Sequence, residues 1–144
     1  MKASEFMTRE FPAVGEETPI RDFVRLLYRS GSSVLPVVDA EQRVVGFISE
    51  RDVIQAALPG YFDLLQSESF WPEVEQFSKK LREISQDPVR TYMVRDVGKV
   101  NRDEDDLYVA ELMIQKGFKL IPVVDHEGVL IGLVRRIDLL KGLL

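Results

Sequence analysis

The chain has 144 residues, 45% of them hydrophobic and 30% charged, with a net charge of −5 and a pI near 5.0. This length and composition suit one globular domain and are too apolar for a disordered chain. The negative balance opposes binding to nucleic-acid phosphates or anionic lipid, and the lack of cysteine excludes disulfides and thiolate metal sites.

The N-terminal stretch Met1–Glu5 lacks the apolar core of a secretion signal. No run in the chain approaches the roughly 18 apolar residues of a membrane-spanning helix. We therefore expect a cytoplasmic protein.

The first strongly patterned element is a helix that begins at Thr18-Pro19, where the hydroxyl is expected to accept from a free helix amide. Gly31 ends it by supplying a left-handed residue. Its apolar positions follow one face at helical spacing: Ile20, Phe23, Val24 and Leu27.

Two strands and a second helix follow. Val34–Val38 is a short, continuous apolar run typical of a strand buried on both faces, and Asp39–Gln42 turns the chain. The next strand is predicted over Arg43–Ser49, with Gly46 marking a place where backbone or ligand approaches closely. Ser49–Ala57 has the pattern of a helix.

The segment Leu58–Pro88 separates the two halves of the chain. Tyr61–Leu65 is apolar, and an amphipathic helix is predicted from about Pro72 to a point before Asp87-Pro88, with this apolar stripe: Trp71, Val74, Phe77, Leu81 and Ile84. We expect this insert either to pack over the core or to form a dimer contact. The alternative is that it docks a different protein.

The second half repeats the same order of elements. Asp103–Asp106 opens a helix that Gly117 ends, and its predicted apolar stripe is Ala110, Met113 and Ile114. The strands Leu120–Val124 and Val129–Val134 are joined by the turn His126–Gly128, and Arg136–Leu143 is the closing helix. Acidic residues are expected at a helix start because of the macrodipole, so the acidic run does not indicate a metal site.

The two halves are copies of one unit, offset by 86 positions, as from Pro36 to Pro122. The same offset superimposes Leu35–Asp39 on Ile121–Asp125, and it also aligns four single residues: Met7 with Met93, Gly31 with Gly117, Gly46 with Gly132, and Asp52 with Asp138. A unit of about 55 residues cannot bury its own apolar face, so the copies should pack together. The functional site is expected at the seam between them.

These residues resemble the CBS (cystathionine-β-synthase) domain family, as a tandem pair covering nearly the whole chain. In the first copy the resemblance lies in Met7–Val14, Thr18–Ile20, Leu35–Asp39 and Gly46–Asp52. It implies an α+β (α/β) fold of two β-α-β-β-α motifs packed with pseudo-twofold symmetry, a Bateman module. The motifs would span residues 1–57 and 89–144, with a helical insert at 58–88.

The resemblance also implies two clefts between the motifs that bind adenosine nucleotides or related adenosyl ligands. In the family pattern Gly-x-x-Ser/Thr-x-x-Asp the hydroxyl and helix amides face a phosphate, and the aspartate accepts from the ribose hydroxyls. Gly46, Ser49 and Asp52 fit this pattern, whereas Arg135 replaces the hydroxyl before Asp138. The two clefts are therefore not equivalent.

By this resemblance each cleft combines residues of both motifs. The residues predicted for the first cleft are Ser49, Arg51, Asp52, Val97, Gly98, Lys99, Lys119, Leu120, Ile121 and Pro122. Gly98 is expected to leave room for a base, and the two lysines to neutralise phosphates. The second, weaker cleft would use Pro12, Ala13, Ser33, Val34, Leu35, Arg135 and Asp138. The alternative interpretation of Ser49, Asp52 and Asp138 is that they cap helices without any ligand.

No enzyme is expected, because the chain has no cysteine, a single histidine in a predicted turn, and no phosphate-binding loop of the GxxxxGK type. The function predicted is a non-catalytic regulatory module that takes AMP, ADP, ATP or S-adenosylmethionine as a regulatory ligand and has no obligatory cofactor. The expected partners are a second copy of the chain, forming a homodimer, and an unidentified target protein. Binding to nucleic acid or to a membrane is not expected. The alternative is a ligand-free interaction or scaffold protein that works through its dimer or insert surface.

Overall fold

The computed structural model describes residues 1–58, 76–95 and 98–144. The helices are α1 (Ala3–Phe6), α2 (Ile20–Ser30), α3 (Glu50–Ala57), α4 (Gln76–Ile84), α5 (Asp106–Lys116) and α6 (Arg136–Leu140), with 3₁₀ turns at Val89–Thr91 and Lys141–Leu143. The strands are β1 (Val14–Gly15), β2 (Val34–Val38), β3 (Val44–Ser49), β4 (Val100–Asn101), β5 (Leu120–Val124) and β6 (Leu130–Arg135). The predicted mixture of helices and sheets in two repeats is confirmed.

Each repeat forms a three-stranded sheet, in the order β1-β2-β3 in the first and β4-β5-β6 in the second. The short first strand pairs in parallel with the second strand, which pairs antiparallel with the third. Pro36 and Pro122 occupy the same place in the two central strands, opposite Phe47 and Leu133.

The two repeats exchange their opening segments. Thr8 forms a two-way backbone bridge with Leu133 of β6, and Val94, 86 positions later, forms the same bridge with Phe47 of β3. Each core therefore contains residues from both sides of the seam. The first core includes Ile84, Val89 and Met93, and the second includes Ala3, Phe6 and Met7. Neither core is complete without the segment that precedes the other repeat.

Gly46 and Gly132 make this exchange possible. A methyl group added at Gly46 would lie 2.6 Å from the carbonyl oxygen of Val94, and one added at Gly132 would lie 2.8 Å from Cγ of Met7. The predicted close approach at Gly46 is therefore made by the protein's own backbone. Only a residue without Cβ lets the crossing segment reach the ladder of the opposite sheet.

Helix α2 begins later than predicted and is capped differently. Its N-cap position is Pro19, and no side chain caps it. The free amides of Ile20 and Arg21 donate instead to the carbonyl oxygens of Asp87 and Ser85, at 2.9 and 3.0 Å. The predicted cap by Thr18 is wrong because these backbone acceptors of the segment after α4 already occupy the helix start.

The apolar stripes of α2 and α5 were only partly predicted. Val24 is 44% exposed and Ile114 is 76% exposed, so neither belongs to a core. In α5 the buried positions are Val109 and Met113, the repeat equivalents of Phe23 and Leu27 in α2. Gly31 and Gly117 end these helices in the left-handed conformation, at φ values of 70° and 69°, as predicted.

The hairpin turns of the two repeats are closed by equivalent aspartates. Asp39 accepts from the amides of Glu41 and Arg43, and Asp125 accepts from those of Glu127 and Val129, all within 3.0 Å. These side chains shape turns that meet across the seam, where the amide of Val44 donates to the carbonyl oxygen of Gly128 at 3.2 Å. The shared sequence Val-Val-Asp thus has a structural explanation.

The described end of the insert packs over the first core. Helix α4 lies against α3, Ile84 is buried in the first core, and Leu81 packs against that core. Residues 59–75, which include Tyr61–Leu65, Trp71 and Val74, lie outside the described residues.

Candidate ligand clefts

Within the described part of the chain, two cavities open along the seam between the repeats. The first has a volume of about 380 Å³ and is lined by Ser33, Val34, Phe47, Ser49, Glu50, Arg51, Gly117, Phe118, Lys119 and Leu120. The second has a volume of about 540 Å³ and is lined mainly by Thr8, Glu10–Pro12, Ser30–Leu35, Lys119, Leu120, Leu133 and Arg135–Ile137. Both volumes are typical of small-molecule sites.

The two cavities share one boundary. Ser33, Val34, Lys119 and Leu120 line both of them. Residues 33 and 34 stand 86 positions before residues 119 and 120, so the starts of β2 and β5 form the boundary as an equivalent pair. The pseudo-twofold relation inferred from the repeat therefore extends to the cavities.

The structure brings together part of the residue set predicted for the first cleft. Four of its members line the first cavity: Ser49, Arg51, Lys119 and Leu120. Ile121 and Pro122 are buried within β5, and Lys99 is exposed. Val97 lies outside the described residues.

The expected room beside Gly98 is filled by an aromatic ring. A methyl group added at Gly98 would lie 2.7 Å from Cζ of Phe118. The ring of Phe118 therefore lies where an open space for a base beside Gly98 was expected. Phe118 and Phe47 form aromatic walls of the cavity instead, and neither was identified from the sequence.

Ser49 and Asp52 form a reciprocal cap at the start of α3. The Asp52 Oδ2 atom accepts from the Ser49 amide at 2.9 Å and from the Ser49 hydroxyl at 3.0 Å, and the Asp52 amide donates to Ser49 Oγ at 3.3 Å. Among the described residues, nothing donates a hydrogen bond to Asp52 Oδ1. The helix-capping interpretation explains one oxygen of this half-buried carboxylate and leaves the other unexplained.

Asp138 is held by a larger network. The whole residue is only 1% exposed. The Arg135 amide and Nε donate to Oδ2 at 2.8 and 3.1 Å, while Arg135 Nη2, Thr8 Oγ1 and Lys141 Nζ lie 2.9, 2.9 and 2.7 Å from Oδ1. Burial acts to raise the pKa of Asp138, but the hydrogen bonds from Arg135, Lys141 and Thr8 outweigh it and hold that pKa well below its usual range.

The residues predicted for the second cleft are divided between two places. Pro12, Ser33, Val34, Leu35 and Arg135 line the second cavity. Ala13 is half-buried and is not among the lining residues. Asp138 instead lines a separate cavity of about 280 Å³ between α1 and the C-terminal turn.

The acidic run before α5 interacts with the N-terminus of the chain. The Met1 amine lies 3.7 Å from a carboxylate oxygen of Asp105 and 3.4 Å from one of Asp106, and Lys2 Nζ lies 3.7 Å from Asp103. Within residues 1–58, 76–95 and 98–144 there is no group of three or more His, Cys, Asp or Glu side chains placed to hold a metal ion. No helix within those ranges is both long and apolar enough to cross a membrane.

Comparison with known proteins gives one family. The CBS domain model matches residues 3–59 and again residues 89–144. The protein MJ1426 of Methanocaldococcus jannaschii is 32% identical over 142 residues, which cover 91% of this chain and 84% of that one.

Two solved structures with the same fold contain nucleotides. CBSX2 of Arabidopsis thaliana in complex with AMP superimposes with a TM-score of 0.75 at 22% identity, covering 99% of this chain and 95% of that one. The cytosolic domain of the Mg²⁺ channel MgtE in complex with ATP superimposes with a TM-score of 0.70 at 27% identity, covering 98% of this chain and 48% of that one. The MgtE sequence of Thermus thermophilus is 30% identical over 150 residues, which make up 27% of its length.

Proposed function

Because this chain belongs to the CBS domain family and has one matched motif in each half, we propose that it is a non-catalytic regulatory module of the cytoplasm. Its first cleft binds an adenosine nucleotide, AMP, ADP or ATP, or a related adenosyl ligand such as S-adenosylmethionine. Binding changes the relative placement of the two repeats, and a target protein reads that change.

The position of the Asp52 carboxylate is the main support for an adenosyl ligand. This carboxylate lies beside the first cavity, bonded to the lining residue Ser49, with Oδ1 open among the described residues. A ribose offers two adjacent hydroxyl groups, and a carboxylate oxygen can accept hydrogen bonds from them. Arg51 and Lys119 line the same cavity and supply positive charge for a phosphate group.

The walls of the first cavity suit the rest of the ligand. Phe47 and Phe118 present aromatic surface on which a purine ring can stack. The ATP complex of the MgtE cytosolic domain, at 27% identity, supports an adenosine nucleotide as the ligand class.

Nucleotide binding is expected to raise the melting temperature of the protein. A ligand at 100 times its dissociation constant stabilises the fold by about 2.7 kcal/mol, which corresponds to a shift of roughly 6 to 10 °C for a chain of this size. The measurement is thermal unfolding with AMP, ADP, ATP and S-adenosylmethionine. Asp52→Ala removes the Asp52 half of the reciprocal cap together with the ribose acceptor and should abolish the shift.

Asp52→Asn is the matched control for that variant. The amide oxygen can still accept from the Ser49 amide, so the helix cap is retained while the negative charge and one acceptor are lost. It should melt close to the unmodified protein without ligand and show little ligand shift. If none of the four ligands stabilises the unmodified protein, the nucleotide assignment is rejected in favour of an interaction or scaffold protein.

We also propose that the chain forms a homodimer through helix faces that are equivalent in the two repeats. Tyr28 and Ile114 are largely exposed at matching repeat positions, and so are Ile54 and Leu140. A pair of apolar faces related by the pseudo-twofold axis suits a symmetric contact with a second copy.

The double variant Tyr28→Lys/Ile114→Lys should convert the dimer into a monomer, as measured by sedimentation velocity. Leu107→Lys is the matched control, because Leu107 is also an exposed apolar residue but its repeat counterpart is the charged Arg21. A chain that sediments as a monomer without any substitution, or a control that dissociates as readily as the double variant, contradicts this interface.

A further inference from the structure

The second repeat supplies its own partners to the carboxylate that aligns with Asp52. Asp138 receives hydrogen bonds on both oxygens from Arg135, one on Oδ1 from Thr8, and an ion pair on Oδ1 from Lys141. Arg135 Nη2 also donates to Thr8 Oγ1 at 3.1 Å, which closes the network. Both oxygens of this carboxylate are therefore occupied by the chain itself.

The equivalent positions of the first repeat carry none of these three side chains. An offset of 86 residues places Val94 at the position of Thr8, Ser49 at that of Arg135, and Gln55 at that of Lys141. A hydroxyl donor is replaced by an aliphatic side chain, and both cations are replaced by neutral side chains. The asymmetry between the two carboxylates therefore lies in three side chains around them.

We infer that Arg135, assisted by Lys141 and Thr8, is an internal occupant of the second nucleoside position, so that each chain binds one adenosine nucleotide and not two. This inference rests on the proposed function, since it assigns the nucleotide to the first cleft alone. It makes Arg135 a specificity-determining residue that acts by engaging Asp138.

The strength of these contacts explains the exclusion. A ribose hydroxyl is a neutral donor, whereas Arg135 and Lys141 make charge-assisted hydrogen bonds that are roughly twice as strong. A ligand entering the second cleft would also have to separate an ion pair whose carboxylate is almost fully buried. The low pKa of Asp138 agrees with a carboxylate that these donors keep ionised in the fold.

The test is isothermal titration calorimetry with AMP and ATP. The unmodified chain should bind one equivalent, and Asp52→Ala should bind none. Arg135→Ser/Lys141→Gln copies the first repeat at the two cationic positions and should bind two equivalents. The second site should bind at least about tenfold more tightly than the second cleft of the unmodified chain, because even one charge-assisted hydrogen bond corresponds to about that factor.

Two further variants separate failure of this inference from failure of the proposed function. In Asp52→Ala/Arg135→Ser/Lys141→Gln the first cleft is expected not to bind nucleotide. One bound equivalent would therefore come from the second cleft alone. Ser49→Arg makes the reciprocal change in the first cleft and should weaken binding there by at least about tenfold. Circular dichroism establishes that each variant is folded.

Two equivalents bound by the unmodified chain, or a folded Arg135→Ser/Lys141→Gln variant that gains no site, would overturn the inference and leave the proposed function standing. No binding by the unmodified chain, together with one equivalent in the triple variant, would reject the nucleotide assignment of the first cleft and still support the role of Arg135.

Discussion

Gly46→Ala is expected to destabilise the fold by about 3 kcal/mol. The added methyl group would lie 2.6 Å from the carbonyl oxygen of Val94, which accepts a hydrogen bond from the Phe47 amide at 2.9 Å. Backbone cannot rotate away as a side chain does, so the crossing segment must shift and the bridge between the repeats is weakened. Overpacking costs about 1 to 3 kcal/mol, and the damaged hydrogen bond adds about 1 kcal/mol.

Gly132→Ala is the matched variant, since Gly132 holds the same place in the second repeat. There the obstacle is the Met7 side chain, including Sδ, which can change rotamer. We expect a smaller loss, about 1 to 2 kcal/mol. Urea unfolding of both variants at pH 7 measures the difference.

A double-mutant cycle distinguishes the two obstacles. Met7→Ala should relieve much of the cost of Gly132→Ala, giving a coupling energy of about 1 kcal/mol, while Met93→Ala should relieve little of the cost of Gly46→Ala. Equal losses at the two glycines, or equal coupling to the two methionines, would contradict the assignment of the Val94 carbonyl as the obstacle.

The elements with short-range signals were predictable from the sequence. Val34–Val38 and Leu120–Val124 are apolar runs bounded by glycine and aspartate, and both are strands with those bounds. Gly31 and Gly117 end helices because a left-handed residue is needed there, which is a local requirement. The 86-residue offset between the copies further predicted that the two halves pack against each other.

The exchange of opening segments was not predictable, because it depends on contacts between residues far apart in the chain. No local pattern shows that Met7 packs on Gly132, although the equivalence of Met7 and Met93 was visible. Helical spacing likewise does not distinguish a core position from an exposed apolar one. Applying the repeat offset to Phe23 would have identified Val109 as the core position of α5 that the predicted stripe, which did include Met113, left out.

The candidate site was predictable at the level of residue types. The replacement of a hydroxyl residue by Arg135 was evident from the sequence, and it predicted that the clefts differ. Its consequence depends on Thr8 and Lys141, which the fold brings to Asp138 from the opening segment and from the C-terminal turn. The filling of the space at Gly98 by Phe118 likewise follows from the fold and from no local motif.

Asp138→Asn is expected to lower the free energy of unfolding at pH 7 by about 2 to 3 kcal/mol. The substitution removes a buried charge that Arg135 and Lys141 contact directly, and a hydrogen bond to a charged group is worth about 1.5 to 3 kcal/mol. Both cations are about half-exposed and regain water when the carboxylate is lost, which limits the cost. Asp52→Asn is the control, since it perturbs the equivalent helix cap without a cationic network and should cost about 1 kcal/mol or less.

The loss caused by Asp138→Asn should also depend on pH in a defined direction. The pKa of Asp138 in the fold lies below its unfolded value of about 3.9, so its ionisation stabilises the fold fully above about pH 4 and progressively less as the pH falls toward the folded value. Urea unfolding at pH 7 and at about pH 2.5 should therefore show the variant and the unmodified protein converging in acid. Glu5 and Asp106 line the same small cavity and are unchanged by the substitution, so any contribution from them is common to both proteins and cancels in the difference. A deficit of the same size at both pH values would mean that Asp138 stabilises the fold by packing and not by its charge.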